Sequence, residues 1–168
     1  HIHYGKGSVI LYALQDYIGE EKVNRAMRGF LEEYRYQEPP YPTSLDFLRY
    51  LEPEVPDSLA YLIDDWFKEI TLYDNRLKEA NYQLQDNGKY LVSIDIESYK
   101  LRADSMGNES KIAIDDWIDI GVFSDDGEEI LMFEERVKIN ENNMSFSFEV
   151  DSLPAKAAID PRMLLIDR

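Results

Sequence analysis

The sequence predicts an α+β chain in which about four helices are followed by an antiparallel, immunoglobulin-like β-sandwich. Three observations support this prediction. Apolar residues recur at helical spacing as far as Ile70, prolines and glycines separate the apolar segments, and beyond about residue 75 apolar and polar residues alternate with a period of two. We therefore expect a helical part over residues 1–75 and a sandwich over residues 76–168.

The first two helices are predicted to form a hairpin with a short turn. Gly19 provides the stop that a left-handed helix cap favours, and Glu20 and Glu21 suit the positive end of the next helix dipole. The apolar positions of the first helix are Val9, Ile10, Ala13, Leu14, Tyr17 and Ile18, and those of the second are Val23, Ala26, Met27, Phe30, Leu31 and Tyr34.

Prolines separate two further helices. The segment Gln37–Pro42 carries three prolines and cannot be helical, whereas Thr43 with Asp46 resembles a capping box at the start of a third helix. Pro53 and Pro56 end that helix. A fourth helix is expected to be the most buried, because it carries the clearest apolar stripe: Leu59, Leu62, Ile63, Trp66, Phe67 and Ile70.

After a connector over residues 71–76, turn signals separate segments with strand periodicity. Asn87-Gly88 is typical of a tight hairpin, and alternating apolar residues follow it from Tyr90 to Ile96. Further strands are predicted over 111–123, 129–139 and 144–150, with a loop over 104–110. This spacing indicates about six or seven strands in two sheets.

Composition excludes several functional classes. The 168 residues contain 18 basic and 34 acidic side chains, and the resulting net charge of −16 disfavours nucleic acids and anionic lipid surfaces as partners. There is no cysteine, so disulfides and thiolate metal sites are excluded. No apolar run is long enough to span a bilayer. We interpret the sequence as a soluble piece of a longer protein, because it begins at His1 and ends directly after an apolar run.

Few residues have the spacing that catalysis requires. The only histidines, His1 and His3, do not form a His-Glu-x-x-His pair, and no Gly-x-Ser-x-Gly segment is present. Gly5 and Gly7 lack the preceding strand and the third glycine of a dinucleotide-binding loop. The abundant carboxylates, including Asp64-Asp65 and Asp115-Asp116, are interpreted as solvated turns and strand faces.

Tyr4 is the remaining candidate. It lies just before two glycines and the first helix, outside the apolar stripe, where a phenol could point into a cleft that a backbone or ligand approaches closely. Most of the other eleven tyrosines are expected to pack half-buried, with their hydroxyl groups hydrogen-bonded.

The segments around Tyr4 resemble those of a known enzyme family. Tyr4-Gly5-Lys6-Gly7, followed by Ile18-Gly19-Glu20-Glu21, is similar to the Tyr-x-Lys-Gly segment of the gluzincin zinc aminopeptidases, the aminopeptidase N-like family. Thr43–Leu48 resembles the next helix of that family, and Pro56–Phe67 resembles the helix that leads into its small β-sandwich. Residues 37–44 and 159–168 are most similar to bacterial membrane relatives fused to permease-like segments.

The resemblance implies a catalytic role for Tyr4 in the parent protein. In the family, the matching tyrosine donates a hydrogen bond to the oxyanion that forms when water attacks the scissile carbonyl, and a zinc ion activates that water. A phenol with a pKa of about 10 stays protonated near neutral pH and can make this bond. Loss of one such donor typically costs about 10²–10³ in rate.

The family's zinc ligands and its amine-binding Gly-x-Met-Glu-Asn strand are absent from these 168 residues. We therefore expect the fragment alone to bind no catalytic zinc and to hydrolyse no aminoacyl substrate. Its expected partners are the catalytic half of the same polypeptide and, in the parent, a peptide substrate. Without that half, an exposed apolar helix face could drive self-association. The alternative is a non-catalytic binding or scaffold module in which Tyr4 is a relic.

Overall fold

A computed structural model describes residues 6–125 and 129–167, apart from the side chains of residues 125 and 129. The chain divides into two compact units, the first ending at Ile70 and the second beginning at Thr71. Helices make up the first unit and antiparallel sheets the second, so the predicted α+β class is confirmed. None of the described helices combines the length and the apolar character needed to cross a bilayer.

The predicted helical hairpin is present. Helix α1 spans Gly7–Ile18 and α2 spans Glu20–Tyr34. Gly19 separates them with a φ of 96°, a value that glycine adopts readily, and its N–H donates to the carbonyl of Gln15 at 2.9 Å. The side chains that the two helices bury follow the predicted stripe: Ile10, Ala13, Leu14, Ile18, Val23 and Ala26.

An aromatic cluster joins α2 to α3, which spans Ser44–Leu51. The ring of Phe30 lies edge-on to those of Phe47 and Tyr50, with centroids 5.7 and 6.2 Å apart. At the start of α3, the Thr43 N–H and hydroxyl both donate to Asp46 Oδ2, at 2.8 and 3.0 Å. These bonds lower the pKa of Asp46, and Asp thus performs the reciprocal part of the predicted capping box.

The fourth helix differs from the prediction. Residues 57–68 form a 3₁₀ turn at Asp57–Leu59, a short α-helical stretch at Tyr61–Ile63 and a π-helical turn at Asp64–Lys68. Leu62, Ile63 and Trp66 are buried, as expected. Ile70, predicted at the end of the apolar stripe, instead begins a strand and is 46% exposed, because pairing within a sheet overrides the helical spacing there.

Within the described residues, seven strands form two antiparallel sheets, one of four strands and one of three. In the first, β2 pairs with β1, β3 and β6; in the second, β4 lies between β5 and β7. The strands are β1 Ile70–Leu84, β2 Tyr90–Ala103, β3 Glu109–Ile112, β4 Asp116–Asp125, β5 Glu129–Ile139, β6 Asn143–Val150 and β7 Pro154–Ile159.

Turn signals in the sequence predict correctly where the hairpin between β1 and β2 lies. The predicted lengths of the strands are less accurate. The turn between β1 and β2 contains Gly88 with a φ of 82°, and the Gln85 N–H donates to the Lys89 carbonyl at 2.8 Å. Residues 71–76, predicted as a connector, belong to β1. The single strand predicted over 111–123 is two strands, because the chain leaves β3 after Ile112 and begins β4 at Asp116 in the other sheet.

The side chains of the two sheets meet in an apolar core. Val92, Ile94 and Ile96 alternate as buried residues on β2. Ile118, Ile120 and Val122 are buried on β4, where Asp119 and Gly121 between them are buried as well. Rings of Phe133 and Phe148, from opposite sheets, lie 4.8 Å apart. The pairing establishes two open antiparallel sheets; it does not establish the predicted immunoglobulin-like arrangement.

Candidate functional site

Tyr4, the candidate catalytic residue, lies outside the described residues, as do His1, His3 and Gly5. The described part of the Tyr-x-Lys-Gly segment begins at Lys6, whose backbone is already helical with φ −63° and ψ −45°. The described residues nearest to the candidate site are therefore Lys6, Gly7 and those of the first turns of α1.

Lys6 links the start of α1 to the end of the helical unit. Its Nζ donates a hydrogen bond to the Glu69 carbonyl at 3.0 Å, directly after the π-helical turn. Burial lowers the pKa of the Lys6 amine, because a partly desolvated ammonium loses hydration that the carbonyl only partly replaces. Lys6 belongs to the Tyr-x-Lys-Gly motif of the sequence. Its hydrogen-bond partner lies 63 residues away, and no pattern of neighbouring residues indicates that pairing.

The first turn of α1 has an open side. A methyl group built on Gly7 would meet no atom of the described structure within 4 Å. One turn further, Val9 and Tyr12 share an exposed face, with 38% and 65% of their surfaces accessible. The opposite face is packed, and the ring of Tyr17 meets Trp66 edge-on with centroids 5.3 Å apart.

The described residues do not fit a zinc site. No group of three His, Asp or Glu side chains within residues 6–125 and 129–167 is arranged to hold a metal ion, and the sequence has no cysteine. Zinc needs three or four such ligands converging on one point. We therefore assign no metal-dependent reaction step to these residues.

Three of the carboxylates that the sequence suggested were solvated are buried, and two of these three form ion pairs. Asp65, Asp116 and Asp119 are 3%, 2% and 5% exposed. Asp116 Oδ1 lies 2.9 Å from Lys100 Nζ, and both oxygens of Asp119 accept hydrogen bonds from the guanidinium of Arg136, at 2.8 and 2.7 Å. These pairs hold strands together, which is a structural role rather than the paired-carboxylate geometry of acid–base catalysis.

Comparison with known proteins supports a relationship in fold. No family model matches the sequence, and no curated protein matches it. Among solved structures, the chain is similar to the crystal structure of Legionella pneumophila aminopeptidase A in complex with aspartic acid, with a TM-score of 0.52 and 18% identity. The match covers 98% of this chain and 17% of that chain.

At this level of identity, the similarity shows a shared fold. The helices followed by antiparallel sheets correspond to a segment of a much longer aminopeptidase, and this chain spans 17% of that protein's length. The fold of residues 6–167 is thus a fold found within an aminopeptidase.

Proposed function

We propose that the chain is the C-terminal part of the peptidase region of a zinc aminopeptidase-like protein that removes N-terminal residues from peptides. The observation that carries this proposal is the match of 98% of the chain to one segment of an aminopeptidase. The Tyr-x-Lys-Gly motif at residues 4–7, directly before and at the start of α1, supports it independently. In this proposal the second unit is the small β-sandwich domain of such enzymes.

Tyr4 is the proposed catalytic residue of this segment. Its phenol donates a hydrogen bond to the oxyanion of the tetrahedral intermediate, and the neutral phenol is available because tyrosine titrates near pH 10. Lys6 is proposed to position the motif, since its amine holds the first turn of α1 against the Glu69 carbonyl. The space beside Gly7 at that turn is open, since a Cβ built there would meet no atom within 4 Å.

The remaining parts of the proposed site belong to other residues of the parent polypeptide. These would supply the zinc ligands and the pocket for the substrate's amino group, since the described residues contain no metal-binding group. The parent is proposed to be a bacterial membrane-associated protein, on the resemblance of residues 37–44 and 159–168 to that branch. The exposed apolar side chains of the helical unit, including Tyr12 and Leu31, are proposed to contact the rest of the polypeptide, or a second copy in its absence.

Substitution of Tyr4 by Phe in the full-length protein tests the catalytic proposal. Hydrolysis of aminoacyl 7-amido-4-methylcoumarin substrates is measured at neutral pH. We expect Tyr4→Phe to lower kcat by about 10²–10³ with little change in KM, because a hydrogen bond made only in the transition state is lost. The zinc content of wild type and variant, measured by atomic absorption, should be equal.

Tyr36→Phe is the matched control, because Tyr36 is a fully exposed tyrosine that follows α2. It should retain wild-type kcat. If the full-length wild-type protein hydrolyses no aminoacyl substrate with zinc bound, the aminopeptidase proposal fails and a binding or scaffold role replaces it. If the protein is active but Tyr4→Phe retains full activity, the assignment of Tyr4 alone is wrong.

A further inference from the structure

The turn between β1 and β2 contains the only Asn-Gly pair of the sequence, Asn87 followed by Gly88. Both residues are exposed at the tip of the hairpin, so water reaches them. A Cβ atom built on Gly88 would meet no described atom within 4 Å. Because glycine has no side chain of its own, the Gly88 backbone nitrogen is sterically open to the neighbouring carboxamide of Asn87.

A backbone hydrogen bond holds the carboxamide of Asn87 along the turn. The Lys89 N–H donates to Asn87 Oδ1 at 2.9 Å, so the side chain folds back over its own backbone. A donor on Oδ1 also stabilises the negative charge that develops on this oxygen when a nucleophile adds to Cγ. The contact therefore favours attack on the Asn87 carboxamide.

The other seven asparagines lack this combination. Each is followed by a residue that carries a Cβ atom, which hinders the approach of the next backbone nitrogen. In four of them, Nδ2 also donates a hydrogen bond that holds the side-chain nitrogen in place, at 2.8 to 3.3 Å: Asn24, Asn81, Asn108 and Asn142. Asn87 is held through Oδ1 instead.

We propose that Asn87 is a site of spontaneous covalent modification, at which the folded chain converts this asparagine into aspartate and isoaspartate. The Gly88 backbone nitrogen loses its proton to hydroxide and forms a bond to Asn87 Cγ. The bond from Cγ to Nδ2 then breaks, and Nδ2 leaves as ammonia. Water opens the resulting succinimide ring. Opening at Cγ gives aspartate, whereas opening at the main-chain carbonyl carbon gives isoaspartate.

One hydrogen bond of the turn has to open before the ring closes. The Gly88 N–H donates to the Gln85 carbonyl at 3.0 Å, and the nitrogen is available for attack once this bond is broken. Because the turn is exposed, its local opening costs much less free energy than unfolding of the sheet. The reaction therefore proceeds in the folded chain.

The isoaspartate product changes the hairpin, because its backbone passes through the former side chain and is longer by one carbon atom. The unmodified turn is closed by the Gln85 N–H, which donates to the Lys89 carbonyl at 2.8 Å. A longer turn does not preserve this bond, so hydrogen exchange of the Gln85 amide should be faster in the isoaspartate form. The modification is independent of the proposed peptidase activity.

The test is incubation of the full 168-residue chain in its folded form, followed by digestion and mass spectrometry. We expect Asn87 to convert at least about tenfold faster than Asn81, an exposed asparagine of the same hairpin. Isoaspartate methyltransferase should label the product. Hydroxylamine, which cleaves succinimides, should split the chain between Asn87 and Gly88. Conversion should be faster at alkaline than at neutral pH, because the attacking nitrogen has to lose its proton.

Gly88→Asn is the matched variant. Gly88 has a φ of 82°, and asparagine tolerates positive φ better than most residues that carry a Cβ atom. The variant should lower the rate of Asn87 conversion by about tenfold or more, with little change in the thermal unfolding midpoint. An unchanged rate in Gly88→Asn would overturn the role of the glycine.

Three results with the wild-type chain would overturn the proposal without any variant. The first is conversion of Asn87 no faster than that of Asn81. The second is conversion only after unfolding in urea, which would show that the folded turn blocks the reaction. The third is aspartate without isoaspartate, since direct hydrolysis of the carboxamide forms aspartate alone.

Discussion

The carboxylate of Asp160 stabilises the turn that follows β7. It accepts hydrogen bonds from the N–H groups of Leu164 and Leu165, at 2.9 and 2.8 Å, while the Asp160 N–H donates to the Asp119 carbonyl at 2.7 Å. Burial raises the pKa of Asp160, although the two backbone bonds act in the opposite direction. The residue has a φ of 48°, a conformation that Asp and Asn tolerate better than most residues.

We expect Asp160→Ala to destabilise the protein by about 2–4 kcal/mol, because two buried N–H groups lose their acceptor. Asp160→Asn keeps one acceptor and should cost less. The free energy of unfolding in urea measures both changes. Met163→Ala, an exposed substitution in the same turn, is the control and should be nearly neutral.

The raised pKa of Asp160 predicts that the stability of the protein depends on pH. Because its pKa is raised on folding, the folded state binds more protons than the unfolded state at pH values above the unfolded pKa of about 3.9. The stability contributed by Asp160 is therefore present below that value and falls as pH rises through the folded pKa. The stability difference between wild type and Asp160→Asn should shrink as pH increases from about 4 to 7. A difference that grows with pH would contradict the raised pKa.

Gly121 leaves no space for a side chain in the middle of β4. A Cβ atom there would lie 2.7 Å from Leu131 Cδ1 and 2.9 Å from both Cβ and Cγ of Pro161. We expect Gly121→Ala to destabilise the protein by about 1–3 kcal/mol through overpacking, measured by thermal or urea unfolding. Gly7→Ala is the matched control: it meets no atom within 4 Å and should be neutral or slightly stabilising, because alanine favours the helix. Equal changes in stability in the two variants would show that overpacking at Gly121 does not cause the loss.

At the scale of elements, a buried ion pair connects the two sheets. Lys100 lies on β2 and Asp116 begins β4, and their side chains are only 7% and 2% exposed. Nζ and Oδ1 are 2.9 Å apart. Both charges are desolvated, and each stabilises the other.

We expect Lys100→Met alone to destabilise the protein by about 3–5 kcal/mol, because it leaves the Asp116 carboxylate buried without its cation. The double substitution Lys100→Met with Asp116→Leu should recover most of that loss, since a well-packed apolar pair often replaces a buried ion pair at little cost. Urea unfolding of the two single variants and the double variant completes a double-mutant cycle. Additive losses would show that the two residues do not interact across the sheets.

At the scale of the whole molecule, net charge is the dominant electrostatic property. The formal charge of −16 arises from 34 acidic and 18 basic residues, so pairing every cation would still leave 16 unpaired acids. Such an excess destabilises a compact state through repulsion among the surplus carboxylates.

We expect sodium chloride to raise the thermal unfolding midpoint. Raising its concentration from about 20 to about 300 mM shortens the Debye length from roughly 20 Å to under 10 Å, which screens the repulsion between distant carboxylates. Potassium chloride at equal ionic strength is the control and should have the same effect, since the mechanism requires no specific cation. A lowered midpoint would indicate that local pairs such as Arg136 with Asp119 outweigh the long-range repulsion.

The sequence by itself determined the change from helices to strands, the glycine between α1 and α2 and the Asn87-Gly88 hairpin. These features depend on residue spacing and on backbone conformations that only a few residue types adopt, and both are local properties. The role of Tyr4 remains a prediction from a short motif, since Tyr4 lies outside the described residues.

Only the tertiary structure decided where the fourth helix ends, which carboxylates are buried and which cation each one meets. Ile70 has helical spacing but lies in a strand, and Asp119 resembles a solvated acid until Arg136, 17 residues away, is placed beside it. Pairing between distant residues depends on how the strands are arranged in the sheets. That arrangement minimises the free energy of the whole packed unit, so no window of neighbouring residues contains enough information to predict it.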